Sequence, residues 1–188
     1  MLVLRKPERK PEKTLVHICC APDATYGIPA IGEVFGEVVG FFYNPNIHPE
    51  AEYLKRLEET RKLSRIYGFP LVEGAYDVAR WMDAVKGLEE EPERGKRCRV
   101  CIELRMEKAM ETAKKLGADA VTTVLTVSPK KLPTMVNEAG RRLAEEKGII
   151  FIELDLKKKD GFKKSVELTK KLGIYRQNYC GCVYSFRE

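Results

Sequence analysis

The sequence predicts an α/β fold, with a parallel sheet of about five strands covered by helices on both faces. Three observations lead there. Short apolar runs alternate with longer stretches whose apolar residues recur at helical spacing. The run Glu37-Val38-Val39-Gly40-Phe41-Phe42-Tyr43 is apolar almost throughout, as a strand buried on both faces is. Glycines stand at the ends of the helical stretches, at Gly68, Gly117, Gly148 and Gly173.

Residues 1–13 are charged and punctuated by Pro7 and Pro11, with no apolar core of a leader peptide, and read as a flexible N-terminal arm. Residues 14–188 read as a single α/β domain. Thr14-Leu15-Val16-His17-Ile18 is the first strand, and Pro22 suits the first turn of a helix, where a missing N–H costs nothing. Ala24 to Phe35, broken by Gly27, Pro29 and Gly32, reads as one short helix or two pieces. After the Glu37–Tyr43 strand comes a turn with two prolines, Asn44-Pro45-Asn46-Ile47-His48-Pro49.

Glu50 to Tyr67 is an amphipathic helix, with Tyr53, Leu54, Leu57, Leu63, Ile66 and Tyr67 at helical spacing. Phe69 to Glu73 forms a short strand, and Asp77 to Gly87 a helix whose stripe of Val78, Trp81, Met82 and Val85 suits core packing. The region 77–105 departs most from simple alternation and is expected as a helical insertion carrying Cys98 and Cys101. Cys101 to Leu116 reads as a helix, Ala118 to Val127 as a strand, and Lys131 to Lys147 as a helix. Ile149 to Leu154 completes the strands, and Phe162 to Leu172 the helices.

Composition narrows the class. Hydrophobic residues make up 44% of the 188, enough for a packed core, and no apolar run is long enough for a membrane span. A cytoplasmic location is expected. Charged residues make up 33%, a proportion common where charge networks stabilise thermophile proteins. The formal net charge of +6 is a modest pull toward an acidic partner such as nucleic acid, although a solvated lysine surface explains it equally well. No glycine fingerprint for a dinucleotide and no P-loop follows the first strand, which argues against nucleotide hydrolysis.

The six cysteines occur only as close pairs: Cys19-Cys20, Cys98-x-x-Cys101 and Cys180-x-Cys182. In a cytosolic chain such pairs point to metal or redox chemistry before structural disulfides. Buried inert thiols, disulfides and a catalytic dithiol at Cys98 and Cys101 are alternatives to a metal site. Four cysteines would satisfy one zinc ion, leaving two thiols and Asp23 unassigned, so the surplus favours iron chemistry. The first pair sits on a strand-to-helix turn, the end of an open sheet where ligands bind.

Four motifs carry a resemblance that spans nearly the whole chain. His17-x-Cys19-Cys20-Ala21-Pro22-Asp23, Phe42-Tyr43-Asn44-Pro45-Asn46-Ile47-His48-Pro49, Arg97-Cys98-x-x-Cys101-x-x-x-Arg105 and Tyr175-Arg176-Gln177-x-Tyr179-Cys180-Gly181-Cys182 closely resemble the cobalamin-independent epoxyqueuosine reductases. The resemblance implies an oxidoreductase of tRNA processing that removes the epoxide oxygen of epoxyqueuosine at the wobble position to give queuosine. It implies a 4Fe-4S cluster with an adjacent mononuclear iron, an external electron donor, and a Rossmann-like sheet akin to adenine-nucleotide α-hydrolase and PP-loop proteins. Where an ATP-using relative would carry a Ser-Gly-Gly loop, this chain has Cys19-Cys20-Ala21-Pro22-Asp23.

By motif, the expected metal ligands are Cys19, Cys20, Asp23, Cys98, Cys101, Cys180 and Cys182. One division puts Cys20, Cys98 and Cys101 on the cluster and Asp23, Cys180 and Cys182 on the second metal, with Cys19 bridging or beside them. Asp23, Tyr179 and His48 are the expected catalytic residues, Asp23 as a hard ligand, Tyr179, Tyr175 or His48 to supply a proton or hold the cyclopentane hydroxyls. His17 reads as a satisfied strand histidine. RNA contacts are expected from Lys130, Lys131, Arg141, Arg142, Lys157, Lys158, Lys159, Lys163, Lys164 and Arg176. A zinc-thiolate RNA-binding module and a thiol–disulfide oxidoreductase are the competing functions.

Overall fold

The computed structural model describes residues 1–185; the last three residues of the expected domain, 186–188, lie outside the described residues. The strands are β1 (Leu2–Arg5), β2 (Lys13–His17), β3 (Glu37–Phe42), β4 (Leu71–Glu73), β5 (Ala120–Thr123), β6 (Ile150–Phe151) and β7 (Glu153–Asp155). Five of them form a parallel sheet in the order β4-β3-β2-β5-β6, as expected. The helices are α1 (Ala21–Phe35), α2 (Glu50–Tyr67), α3 (Val78–Val85), α4 (Lys96–Lys115), α5 (Pro133–Lys147) and α6 (Gly161–Lys171).

Alternation along each central strand sends neighbours to opposite faces. Val16, Phe42 and Ala120 join one core with Ile28, Ile31 and Phe35 of α1 and Tyr53, Leu57 and Leu63 of α2. Leu15, Phe41 and Val121 join the other with Ile102, Met106 and Met110 of α4 and Val136 and Leu143 of α5. Each fully buried Phe or Leu in these layers contributes roughly 1.5–3 kcal/mol. The strand order turns back at β2, with β3 on one side and β5 on the other, so the crevice above its carboxyl end is the switch point of the sheet.

Several elements differ from expectation, each for a local reason. Residues 1–13, expected as a loose arm, contain β1, which pairs antiparallel with β7. The amino terminus also reaches Tyr26 Oη at 2.7 Å. Pro29 does not break α1: its missing N–H would leave the Thr25 carbonyl without a donor, and Tyr67 Oη from α2 donates to it at 2.9 Å. The strand expected to Val127 stops at Thr123, whose hydroxyl accepts from Leu125 N at 3.1 Å and turns the chain into a 3-10 helix over Val124–Val127. The strand expected over 149–154 divides, because Asn137 brackets the Leu154 backbone with bonds of 3.0 and 3.1 Å and draws β7 away toward β1.

The segment expected as an insertion, 77–105, holds α3, an irregular link and the first half of α4. The remainder of α4 runs on unbroken to Lys115 as a sheet-covering helix. Cys98 and Cys101 thus lie at the start of a core element, which limits how far they can move relative to the sheet.

Candidate metal centre

The turn from β2 into α1 builds the floor of the site. Cys20 has an extended backbone at the head of α1, and Asp23 lies in the first turn. Unpaired N–H groups and the positive end of the helix face this turn, an environment that favours thiolate and carboxylate. One ligand atom from each of Cys19, Cys20 and Asp23 lies within 4.8 Å of the others. Cys19 Sγ is 3.7 Å from Cys20 Sγ and 3.5 Å from Asp23 Oδ2.

The Cys19 thiol and the Asp23 carboxyl are both held toward their neutral forms. The Cys19 thiol is pushed well up by its hydrogen bond to Cys20, by burial and by the neighbouring charges of Cys20 and Asp23. Burial raises the Asp23 carboxyl to about 6 against the opposing pull of Cys19 and Arg176. A bound cation relieves all of these pressures at once, and two sulfurs with one carboxylate suit a transition metal. The donor set therefore fits a metal ion.

The other four cysteines approach from two further segments. Cys101 and Cys182 pack together with Trp81 and Val85 in an apolar cluster that Cys180 borders. Cys98, at the start of α4, accepts from Arg94 N at 3.2 Å. Cys180 shares a cavity of about 160 Å³ with Cys19, Cys20 and Asp23. Among the described residues these four form no further group of three with ligand atoms as close as those of the first triad. The geometry thus gathers Cys19, Cys20 and Asp23 into one group, across the division of ligands given above. Thiolates of this number suit an iron–sulfur cluster in chemistry.

Two buried cations hold this sulfur-rich space. Arg105 donates to the Cys101 carbonyl at 3.1 Å and to Asn44 Oδ1 at 3.3 Å. Burial opposes its charge, but Cys101, Cys180, Cys19 and Cys98 around it outweigh that cost and strengthen it. Lys131 Nζ lies 3.0 Å from Cys180 Sγ. Burial would raise the Cys180 thiol, yet Lys131 and Arg105 bring it down to about 7. Lys131 was expected as an RNA-facing lysine; it is buried because its charge is matched by this sulfur.

The C-terminal cysteine segment is docked by residues from one helix and a loop. Arg56, buried on α2, donates to the carbonyls of Cys180 at 3.0 Å and Tyr179 at 3.2 Å while pairing with Glu52 at 2.6 Å. Gly181, at φ +103°, makes the turn between Cys180 and Cys182 that a side chain would strain, and its carbonyl accepts from His48 N at 2.7 Å. Arg56 gave no sequence signal as a site residue, because a lone arginine in a charged helix reads as surface; burial against backbone carbonyls sets it apart.

Of the expected catalytic residues, Asp23 and Tyr179 line the cavity. Tyr179 Oη donates to the His48 carbonyl. His48 stands behind that wall, its Nδ1 2.9 Å from the Asn46 carbonyl and its ring against Trp81. Tyr175 Oη contacts the Glu52 carboxylate at 3.2 Å. His17 is fully buried between Thr123 Oγ1 and the Tyr43 carbonyl, at 2.9 and 3.1 Å, and burial drives it down to about 3, hence neutral. Arg176 and Lys130 lie on the cavity wall, whereas Arg141 and Arg142 form ion pairs with Glu153, Glu103 and Glu146.

A sequence profile for the epoxyqueuosine reductase QueH matches residues 14–188. The chain is 41% identical over 177 residues to the epoxyqueuosine reductase QueH of Haemophilus influenzae, covering 94% of this chain and 72% of that one. It is 37% identical over 177 residues to the epoxyqueuosine reductase QueH of Thermotoga maritima, covering 93% and 90%. A solved structure, the U34-tRNA thiolase NcsA from Methanococcus maripaludis with its 4Fe-4S cluster, superposes with a TM-score of 0.60 at 14% identity. That alignment takes in 95% of this chain and 63% of the thiolase, so this chain spans less than two thirds of its length and the likeness is one of fold. With a profile matching nearly the whole chain and relatives sharing over a third of its residues, the chain belongs to the epoxyqueuosine reductase QueH family.

Proposed function

We propose that this chain reduces epoxyqueuosine in tRNA to queuosine, the reaction its family is named for. The observation that carries the reading to this chain's own residues is the compact group of Cys19, Cys20 and Asp23 on the floor of a cavity whose wall includes Cys180. Loss of the epoxide oxygen takes two electrons and two protons and yields an alkene and water. When bound, an iron–sulfur cluster supplies the electrons singly and an adjacent iron supplies a Lewis acid for the epoxide oxygen.

The ligands for these groups are Cys19, Cys20, Asp23, Cys98, Cys101, Cys180 and Cys182, with Asp23 giving the one hard oxygen donor. Tyr179 holds a proton at Oη on the cavity wall, and the His48 carbonyl fixes its direction. Arg176 and Lys130 offer positive charge at the wall to the phosphates of an anticodon loop, and Phe162 offers a ring for a splayed base. An external donor provides the electrons. Among the described residues no helix is long and apolar enough to cross a membrane, and a tRNA substrate supports a cytoplasmic place of action.

Two measurements on anaerobically purified protein test this. Iron and acid-labile sulfide are determined, and tRNA bearing epoxyqueuosine is incubated with the protein and a low-potential reductant before nucleoside mass spectrometry. Close to four sulfides with four or five irons per chain, as one cluster with or without an extra iron requires, and formation of queuosine are expected. Zinc without sulfide and unchanged nucleoside would overturn the reading in favour of a zinc-thiolate module.

A further inference from the structure

Two residues that line the cavity each carry a side-chain oxygen with no hydrogen-bond partner. Asn46 is 1% exposed, and its Oδ1 is buried and unpaired. Gln177 Oε1 is likewise buried and unpaired, and both residues line the cavity that holds Cys19, Cys20 and Asp23. They come from opposite ends of the chain. Asn46 sits in the turn after β3, and Gln177 lies in the segment between α6 and the last cysteine pair. A buried carbonyl oxygen left without a donor costs free energy unless a ligand supplies one.

The neighbouring amide shows the contrast. Asn44 is spent on structure: its Nδ2 donates to the Ile18 carbonyl at 2.9 Å, and its Oδ1 accepts from Arg105 at 3.3 Å. Asn46 and Gln177 have no such task for their oxygens. Arg56, Arg105, Lys130, Lys131 and Arg176 make the lining strongly cationic, which suits phosphate and disfavours a cationic donor. Neutral amide oxygens in such a lining suit neutral donors, and a pair of them suits two hydroxyls.

We infer that Asn46 Oδ1 and Gln177 Oε1 accept hydrogen bonds from the two hydroxyls of the substrate's cyclopentane ring. The inference rests on the reductase reading, because that reading brings the epoxide to the Cys19–Cys20–Asp23 group. The hydroxyls belong to the same small ring as the epoxide, so a ring seated there carries them into the same cavity. Asn46 and Gln177 then act as specificity residues: they fix the rotation of the ring and select for the diol. A site built to pair a hydroxyl rejects an analogue lacking it far more strongly than an apolar pocket would.

The test crosses substrate with variant in the metal-loaded enzyme. Turnover is measured on tRNA carrying epoxyqueuosine and on tRNA carrying an analogue without the ring hydroxyls, using wild type, Asn46→Leu and Gln177→Met. Iron, sulfide and visible absorbance are recorded for each. Wild type is expected to lose on the order of 10,000-fold in kcat/KM on the analogue. Each variant is expected to lose activity on the natural substrate and to discriminate at least tenfold less, with unchanged metal content. Asn46→Asp and Gln177→Glu, which present an acceptor whichever way the group turns, are expected to restore discrimination. Gln177, being only half-buried, keeps the test open if Asn46→Leu fails to fold. Variants that discriminate as wild type does would overturn the inference while leaving the reductase reading intact. No turnover by metal-loaded wild type would overturn both.

Discussion

Lys131 Nζ stands 3.0 Å from Cys180 Sγ, a lysine and a cysteine that stabilise each other's charge inside the protein. Lysine carries the cation on a flexible stem, so the pair can persist as the sulfur changes partner. Replacing the lysine with methionine leaves the thiol buried with less positive charge nearby. In metal-free reduced protein, Lys131→Met is expected to raise the Cys180 pKa from about 7 to beyond the ordinary thiol value of about 8.5. Alkylation of Cys180 near neutral pH, followed by peptide mass spectrometry, should slow roughly tenfold or more. Lys131→Arg should keep most of the rate. An unchanged pH profile in Lys131→Met would show that the lysine does not set the ionisation.

Asp23 supplies the one carboxylate in its group of three. Asp23→Ala should lower turnover by at least about 100-fold, on the scale of losing a group that acts at the reacting bond. Much of the visible cluster absorbance should remain, because the thiolates are still present. Full activity in that variant would remove Asp23 from the chemistry.

Arg56 is 2% exposed and donates to the carbonyls of Tyr179 and Cys180. Arg56→Met leaves both carbonyls without that donor and the Glu52 carboxylate with Tyr175 Oη but no cation, at a cost of roughly 3 kcal/mol. For a domain of this size that corresponds to a fall in Tm on the order of 10 °C. Hydrogen exchange should quicken first in residues 178–182. Equal exchange there in variant and wild type would argue that the segment is held by other contacts.

Asp119 accepts from the backbone N–H groups of Glu12 and Lys13 at 3.3 and 3.1 Å and pairs with Arg9 at 3.1 Å. Burial works against its charged form, but these donors and Arg9 outweigh that and hold its carboxyl below the usual value. A lowered carboxyl contributes stability above the unfolded pKa of about 3.9 and loses it as pH falls through the folded value. Asp119→Asn should therefore be less stable than wild type at neutral pH, by roughly 1 kcal/mol after allowance for solvent. The gap should close in denaturant melts as pH falls below about 3.9. A gap independent of pH would assign the loss to packing instead.

The sheet could be read from the chain because its strands are short, apolar and set between helices with clear spacing. What could not be read depended on partners distant in sequence. Pro29 looks like a break until Tyr67 is seen to serve the Thr25 carbonyl. Leu2–Arg5 looks like an arm until β7 is seen beside it. The cysteine motifs and Asp23 were legible as candidate ligands because residue type and close spacing announce metal chemistry. Arg105 stands within one of the four motifs, yet its place among four thiols follows only from the packing of α4 against the turn after β2. Lys131 misled in the other direction, since a lysine beside another lysine reads as a solvated pair.

The docking of the last cysteine pair by Arg56 and His48 has a consequence for biosynthesis. Cys19 and Cys20 leave the ribosome about 160 residues before Cys180 and Cys182. Contacts between such distant segments close late, after the local helices and the central strands. A chain cut short before Tyr179 would lack the carbonyls that Arg56 holds and the thiol that Lys131 meets. The segment that carries Cys180 therefore meets the turn that carries Cys19 and Cys20 only after the residues between them have been made.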